Sequence, residues 1–143
     1  MTKRIKFAAA TVAIAVLTAS GANATCKQPV GRYVGSGTGT FYNTTDGSVT
    51  DLSAMSLSVN ILRDGSGSAV QIGKSYLNGP YTLRFSVAPA GNVFNAATCQ
   101  GTITNDRGEQ WTYTSSGSGN VITFIYTKND SVFAMYSFRL DRV

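Results

Sequence analysis

The chain of 143 residues contains no histidine, and that absence shapes every chemical reading of it. Without imidazole there is no Ser–His–Asp triad and no Cys–His dyad, and most zinc sites lose a ligand. The two cysteines, Cys26 and Cys99, pair into an expected disulfide, which removes thiol catalysis as well. Closing a loop of about 74 residues would contribute ~4 kcal/mol on the chain-entropy account. The acidic residues are Asp46, Asp51, Asp64, Asp106, Glu109, Asp130 and Asp141. Asp46, Asp64, Asp106 and Asp130 each stand beside Gly, Asn or Ser in a turn signal, where capping the turn is the expected work. Glu109 shares the strand phase of Trp111 and Tyr113, which leaves it open to an interior role or to a solvated strand end. DGSGS and NDRGE do not reproduce the oxygen spacing of a calcium loop, so no metal is expected. A carboxylate pair or a Lys/Tyr arrangement is what remains for acid–base work, and no motif assembles one. The balance leans away from an enzyme.

Phosphate binding fails on spacing. Gly73-Lys74-Ser75 supplies the end of a Walker loop, but the glycine needed at position 68 is Ser68, and no helix pattern follows. GSGTG, residues 35–39, is G-x-G-x-G and opens no helix, so the dinucleotide fingerprint is absent too. No cofactor is expected. The remaining candidates are recognition groups. Tyr33, Phe85, Trp111 and Tyr113 are the rings that would line an apolar ligand site in a barrel interior, and Arg84 would anchor an anionic head group if its face turned inward. The ordinary alternative is that the rings are core and Arg84 faces solvent.

Strands must position these residues. Met55, Leu57, Val59 and Ile61 alternate with polar neighbours, as do Tyr81, Leu83, Phe85 and Val87. EQWTYTS and VITFIYT continue the pattern, and the last strand, SVFAMYSFRLD, is apolar on both faces until Arg139. Asp64-Gly65, Asn78-Gly79-Pro80, Asn105 to Gly108, Ser115 to Gly119 and Lys128-Asn129-Asp130 punctuate the strands as turns. NVFNAATC reads as a bend or a short helical turn. The expectation is all-β: one antiparallel up-and-down barrel of about eight strands, with a small β-sandwich as the alternative.

GRYVGSGTGTFY, residues 31–42, is the most unusual stretch. Tyr33, Gly35, Gly37, Gly39 and Phe41 share one face of a strand, thin in the middle and bulky at both ends. Three glycines weaken a strand, so they are expected where the strand coils or where another group approaches its backbone. Either aromatics such as Trp111 or Phe124 fill the space over them, or a ligand does.

The N-terminus reads as an export signal. Lys3, Arg4 and Lys6 precede the apolar run FAAATVAIAVL, and Ala22 and Ala24 provide an A-x-A cleavage site. The run is too short to span a bilayer. Residues 1–24 are thus expected to be a leader and 25–143 a single domain. Without the three leader cations the formal charge falls from +5 to +2, and no basic stripe remains to hold nucleic acid. The expected location is periplasmic or extracellular, with no stable membrane insertion after cleavage.

Gly31, Tyr33 and the alternating Gly35, Gly37 and Gly39, followed by a strand meander, resemble the calycin group of lipocalins, avidin-like proteins and nitrobindin-like barrels. The resemblance implies a barrel that holds a small molecule. Lipocalins usually carry tryptophan where this chain has Tyr33, and a C-terminal helix that it lacks. Haem held through histidine is excluded, and the single tryptophan does not match a biotin site built from several. The functional expectation is an exported barrel that binds an apolar or amphipathic small molecule without catalysis. The alternatives are a protein-interaction or inhibitor module with a filled core and, lower, a barrel isomerase or cyclase. The expected partners are a small hydrophobic ligand or a protein.

Overall fold

A computed structural model describes residues 25–43, 45–126 and 132–143, the side chains of 132–134 excepted. The export segment and the turn expected at Lys128-Asn129-Asp130 lie outside the described residues. Every regular element described is a strand: β1 (Gly31–Asn43), β2 (Val49–Ile61), β3 (Gly67–Ser75), β4 (Gly79–Val87), β5 (Asn92–Asn95), β6 (Gln100–Thr104), β7 (Gln110–Ser115), β8 (Val121–Tyr126) and β9 (Val132–Arg142). They form one antiparallel sheet in the order β4-β3-β2-β1-β9-β8-β7-β6-β5, which curls so that one face turns inward. NVFNAATC resolves into strand β5 followed by a turn over residues 96–99, not a helical turn.

Nine strands are eight staves. Following the antiparallel registers from β1 both ways round the sheet gives β4 and β5 the same direction. Only residues 88–91 join them. Side-by-side parallel strands need a crossover of a dozen residues or more, so four cannot serve. β4 and β5 are instead successive halves of one bent stave, the first pairing with β3 and the second with β6. Pro89-Ala90-Gly91 makes the bend, with Ala90 at φ 61°. The two sheet edges meet at this corner: Asp106 N–H donates to Ser86 C=O at 2.8 Å, Ser86 N–H to the Asp106 carboxylate at 3.1 Å, and Thr104 N–H to Gly91 C=O at 2.9 Å.

Alternation sends the large apolar residues inward. Tyr33, Leu57, Ile61, Trp111, Tyr113, Phe124, Phe138 and Leu140 are all buried in one core cluster. The outer face carries Ser36, Thr38, Ser56, Thr82, Thr114 and Thr123, all exposed. Val34, Leu52, Ile72, Val93, Ile125 and Met135 stand exposed on the same face, so it is mixed in character. No helix among the described residues is long and apolar enough to cross a membrane.

Of the two sequence readings, aromatics of a neighbouring strand cover the glycine stripe, but they come from β9, the strand next to it, and are not Trp111 or Phe124. Gly35, Gly37 and Gly39 lie opposite Leu140, Phe138 and Tyr136. A Cβ on Gly37 would stand 2.6 Å from the Phe138 ring, and a Cβ on Gly39 would stand as close to Tyr136. The aromatic rings lie down across the glycines, so a thin strand and a bulky one make a single packed layer. The same device recurs where Gly73 faces Tyr81 and Gly101 faces Tyr113.

Cys26 and Cys99 form a disulfide with Cα atoms 5.4 Å apart. It fastens the segment before β1 to the turn between β5 and β6. Cys26 N–H donates to Ala96 C=O and Lys27 N–H to Gly117 C=O, and Pro29 is fully buried. Tyr33 secures the same region, its hydroxyl donating to Gly119 C=O at 2.5 Å.

Candidate binding site

Trp111 is the hub of the interior. Its ring centre lies 4.9 Å from Tyr126, 5.8 Å from Tyr136, 5.9 Å from Phe138, 6.3 Å from Phe85 and 6.5 Å from Phe124. Most of the barrel is therefore occupied by its own side chains, as small barrels usually are. Packing among the described residues leaves a gap. Beneath the β2–β3 turn and beside the bend between β4 and β5 is a partly open pocket. It encloses about 510 Å³ of atom-free space, its mouth included, but is narrow: only about 40 Å³ admits the centre of a water-sized group. Its apolar walls come from Leu57, Val59, Ile103, Phe85, Trp111 and Phe124, and the polar residues Asn60, Ser66, Ser68, Asn92 and Asn105 also line it. No charged side chain lines it among the described residues.

Local sequence builds this gap. β3 presents Ala69 inward, where a larger side chain would reach into the space, and Gly67 beside it lies so close to Asn60 C=O that no Cβ fits. Asp64-Gly65 turns the chain from β2 to β3, with Gly65 at φ 81° and the Asp64 carboxylate accepting from the Ser66 N–H at 2.9 Å. Phe85 is held from outside by Arg107, whose guanidinium lies 4.9 Å over the ring.

The residues singled out from sequence separate into three groups. Phe85 and Trp111 line the pocket directly. Tyr113 stands one hydrogen bond behind it, its hydroxyl donating to Asn92 Oδ1 at 2.8 Å. Burial pushes the Tyr113 hydroxyl up to about 12, so it stays protonated at neutral pH. Tyr33 is elsewhere, fully buried beneath the N-terminal segment, and burial raises its pKa as well. Arg84 sits on the outward face of β4, exposed and away from the pocket, so its guanidinium is in no position to anchor a head group inside. The alternation that turns Phe85 inward turns Arg84 out.

Three amides are buried, and of these only Asn105 stood in a turn signal of the sequence. Asn105 is satisfied within the β6–β7 turn: its Oδ1 accepts from the backbone of Arg107 and Glu109, and its Nδ2 donates to Glu109 Oε2 at 2.7 Å. Glu109 is thereby a turn residue, half-buried. Gln71 donates to Met55 Sδ at 2.8 Å and to Tyr81 Oη at 3.2 Å. Asn92 is 8% exposed, and its Nδ2 has no hydrogen-bond partner among the described residues. An amide in a strand reads as outward-facing, and only the register against Ile103 turns Asn92 inward.

Asp51 is a buried carboxylate that reasoning from turn signals passes over. It accepts from the Ser75 hydroxyl, from Asn78 Nδ2 at 3.2 Å and from the backbone N–H of Leu52 and Leu77. The Ser75 hydrogen bond, with these others, holds its carboxyl below the usual range. The bonds from Ser75, Leu77 and Asn78 clasp the β3–β4 turn, which is structural work. Among the described residues no three His, Cys, Asp or Glu side chains converge on a point where a metal could sit.

No family model matches this chain, and no curated protein matches it. Among solved structures it is similar to a de novo designed fluorescence-activating β-barrel, at 15% sequence identity and a TM-score of 0.38, over 80% of this chain and 93% of the designed one.

Proposed function

We propose that this protein binds a small, slender, apolar or amphipathic molecule and does no chemistry on it. The carrying observation is a gap in the packed interior: an apolar pocket walled by Phe85, Trp111 and Phe124 with polar residues at its edge. Apolar clefts with a few placed polar groups are the general form of small-molecule sites. The resemblance of Gly31, Tyr33, Gly35, Gly37 and Gly39 to the calycin pattern points the same way. Export to an oxidising compartment fits the disulfide and the reading of residues 1–24.

Trp111 is the sole tryptophan and lines the pocket, so its emission reports occupancy. Titration with methyl pentyl ketone is expected to shift that emission saturably, and native mass spectrometry of protein from its own host is expected to show a copurified small molecule. An unchanged spectrum at millimolar ligand, together with a ligand-free mass, would reject the reading.

A protein-interaction role is the second reading. It is favoured by Leu52, Tyr76, Leu77 and Val49, apolar side chains that stand exposed near one end of the sheet. A partner there would protect the amides of residues 49–52 from exchange and leave Trp111 emission unmoved.

A further inference from the structure

Asn92 poses a problem that the packing leaves unsolved. A buried polar atom without a partner costs free energy, so native proteins leave few of them. Asn92 is more than nine-tenths buried, it lines the pocket, and its Nδ2 is the unpartnered buried side-chain atom among the described residues. Its orientation is set by Tyr113. That hydroxyl proton needs an acceptor and finds Oδ1 at 2.8 Å, which leaves the NH₂ group as the spare end. Turning the amide over would leave the Tyr113 proton unpaired instead. The neighbouring Asn105 shows the contrast, with both ends of its amide engaged inside its own turn.

Resting on the small-molecule reading above, we propose that Asn92 Nδ2 is the ligand anchor: the pocket takes an uncharged, slender apolar molecule bearing one carbonyl-type acceptor, which accepts the Asn92 hydrogen bond. The ligand class is that of ketones, aldehydes, esters and amides with a short hydrocarbon body. A carboxylate is disfavoured, because no cation lines the pocket and Arg84 points away. A plain hydrocarbon would fill the walls of Phe85, Trp111 and Phe124 but leave the donor unpaired.

Three probes of equal size separate these cases: methyl pentyl ketone, the hydrocarbon with a methylidene group in place of its carbonyl, and hexanoate. Binding is followed by Trp111 emission and by the NMR signals of the Asn92 side-chain amide. The ketone is expected to bind about tenfold more tightly than the hydrocarbon, the equivalent of one hydrogen bond to a buried donor, and to move the Asn92 amide signals. Hexanoate is expected to bind no better than the hydrocarbon. In the double variant Asn92→Leu with Tyr113→Phe, which leaves no hydroxyl unpaired, hydrocarbon binding should persist and the ketone preference should vanish. Equal affinity for ketone and hydrocarbon, or a preference that survives the double variant, overturns the anchor while leaving the small-molecule reading intact. Failure of both neutral probes to bind the native protein overturns that reading and the anchor with it. Should the double variant not fold, unmoved Asn92 amide signals in the ketone-bound native protein overturn the anchor alone.

Discussion

Tyr113 shows how much one ring can decide. It packs against Phe94 and Phe124 with ring centres 6.1 and 5.3 Å away, covers Gly101, and orients Asn92. Its hydroxyl is pushed up to about 12, and Tyr33 and Tyr136 are also raised, burial being the main cause in each. The sign follows from which state holds the proton. Between the unfolded value near 10 and the raised folded value, the folded protein keeps protons that the unfolded chain releases, so stability present below about pH 10 is lost as pH rises. Urea midpoints are expected to fall between pH 9.5 and 11.5, with tyrosinate absorbance lagging that of the free amino acid by about a unit or more. A coincident titration of all tyrosines at the free value would contradict the burial. At the acid end, the depressed Asp51 carboxyl contributes stability present above its unfolded pKa and lost as pH falls below it, so Asp51→Asn is expected to flatten the acid limb of a stability–pH curve.

At the level of elements, the recurring device is a glycine opposite an aromatic on the next strand: Gly37 with Phe138, Gly39 with Tyr136, Gly73 with Tyr81 and Gly101 with Tyr113. A methyl group at Gly101 would stand 2.2 Å from the Tyr113 ring. Gly101→Ala is therefore expected to cost about 1–3 kcal/mol in chemical denaturation, the range for overpacking, and to disturb the Asn92 contact. A change below a few tenths would mean that the ring has room to move. The bent stave offers the opposite case. Ala90 holds a left-handed φ of 61° at the corner, a conformation that favours glycine. Ala90→Gly is expected to raise stability by about 0.5–1 kcal/mol, as the relief of strain outweighs the added freedom of the unfolded chain. The strand pattern was plain in the sequence from Met55 to Ile61 and from Tyr81 to Val87, because alternation is local. The partner of the glycines was not, because Phe138 and Tyr136 stand about a hundred residues away in a segment that reads as apolar on both faces.

The molecule as a whole is a single curled sheet held at two places, the corner where Asp106 meets Ser86 and the disulfide from Cys26 to Cys99. The bridge closes a separation of 73 residues and pins the segment that contains buried Pro29. Replacing both cysteines by serine is expected to remove up to ~4 kcal/mol of stability while leaving the strand spectrum intact under native conditions. The pocket lies near the corner, so Asp106→Ala, which frees Ser86, is expected to weaken ketone binding more than it lowers the melting temperature. Equal effects on both would show that the corner holds the fold and not the pocket.

From the sequence alone came the all-β class, the alternation that turns Phe85, Trp111 and Tyr113 to one side, the cysteine pairing and the chemistry ruled out by the missing histidine. These follow from composition and from periods of two, which each strand carries within itself. Tertiary structure decided what fills the glycine stripe, that Arg84 faces outward, that β4 and β5 are one stave, and that Asn92 is buried with a donor to spare. Each of these depends on which strand lies beside which and at what register. Register is a property of the assembled sheet, and no single segment encodes it.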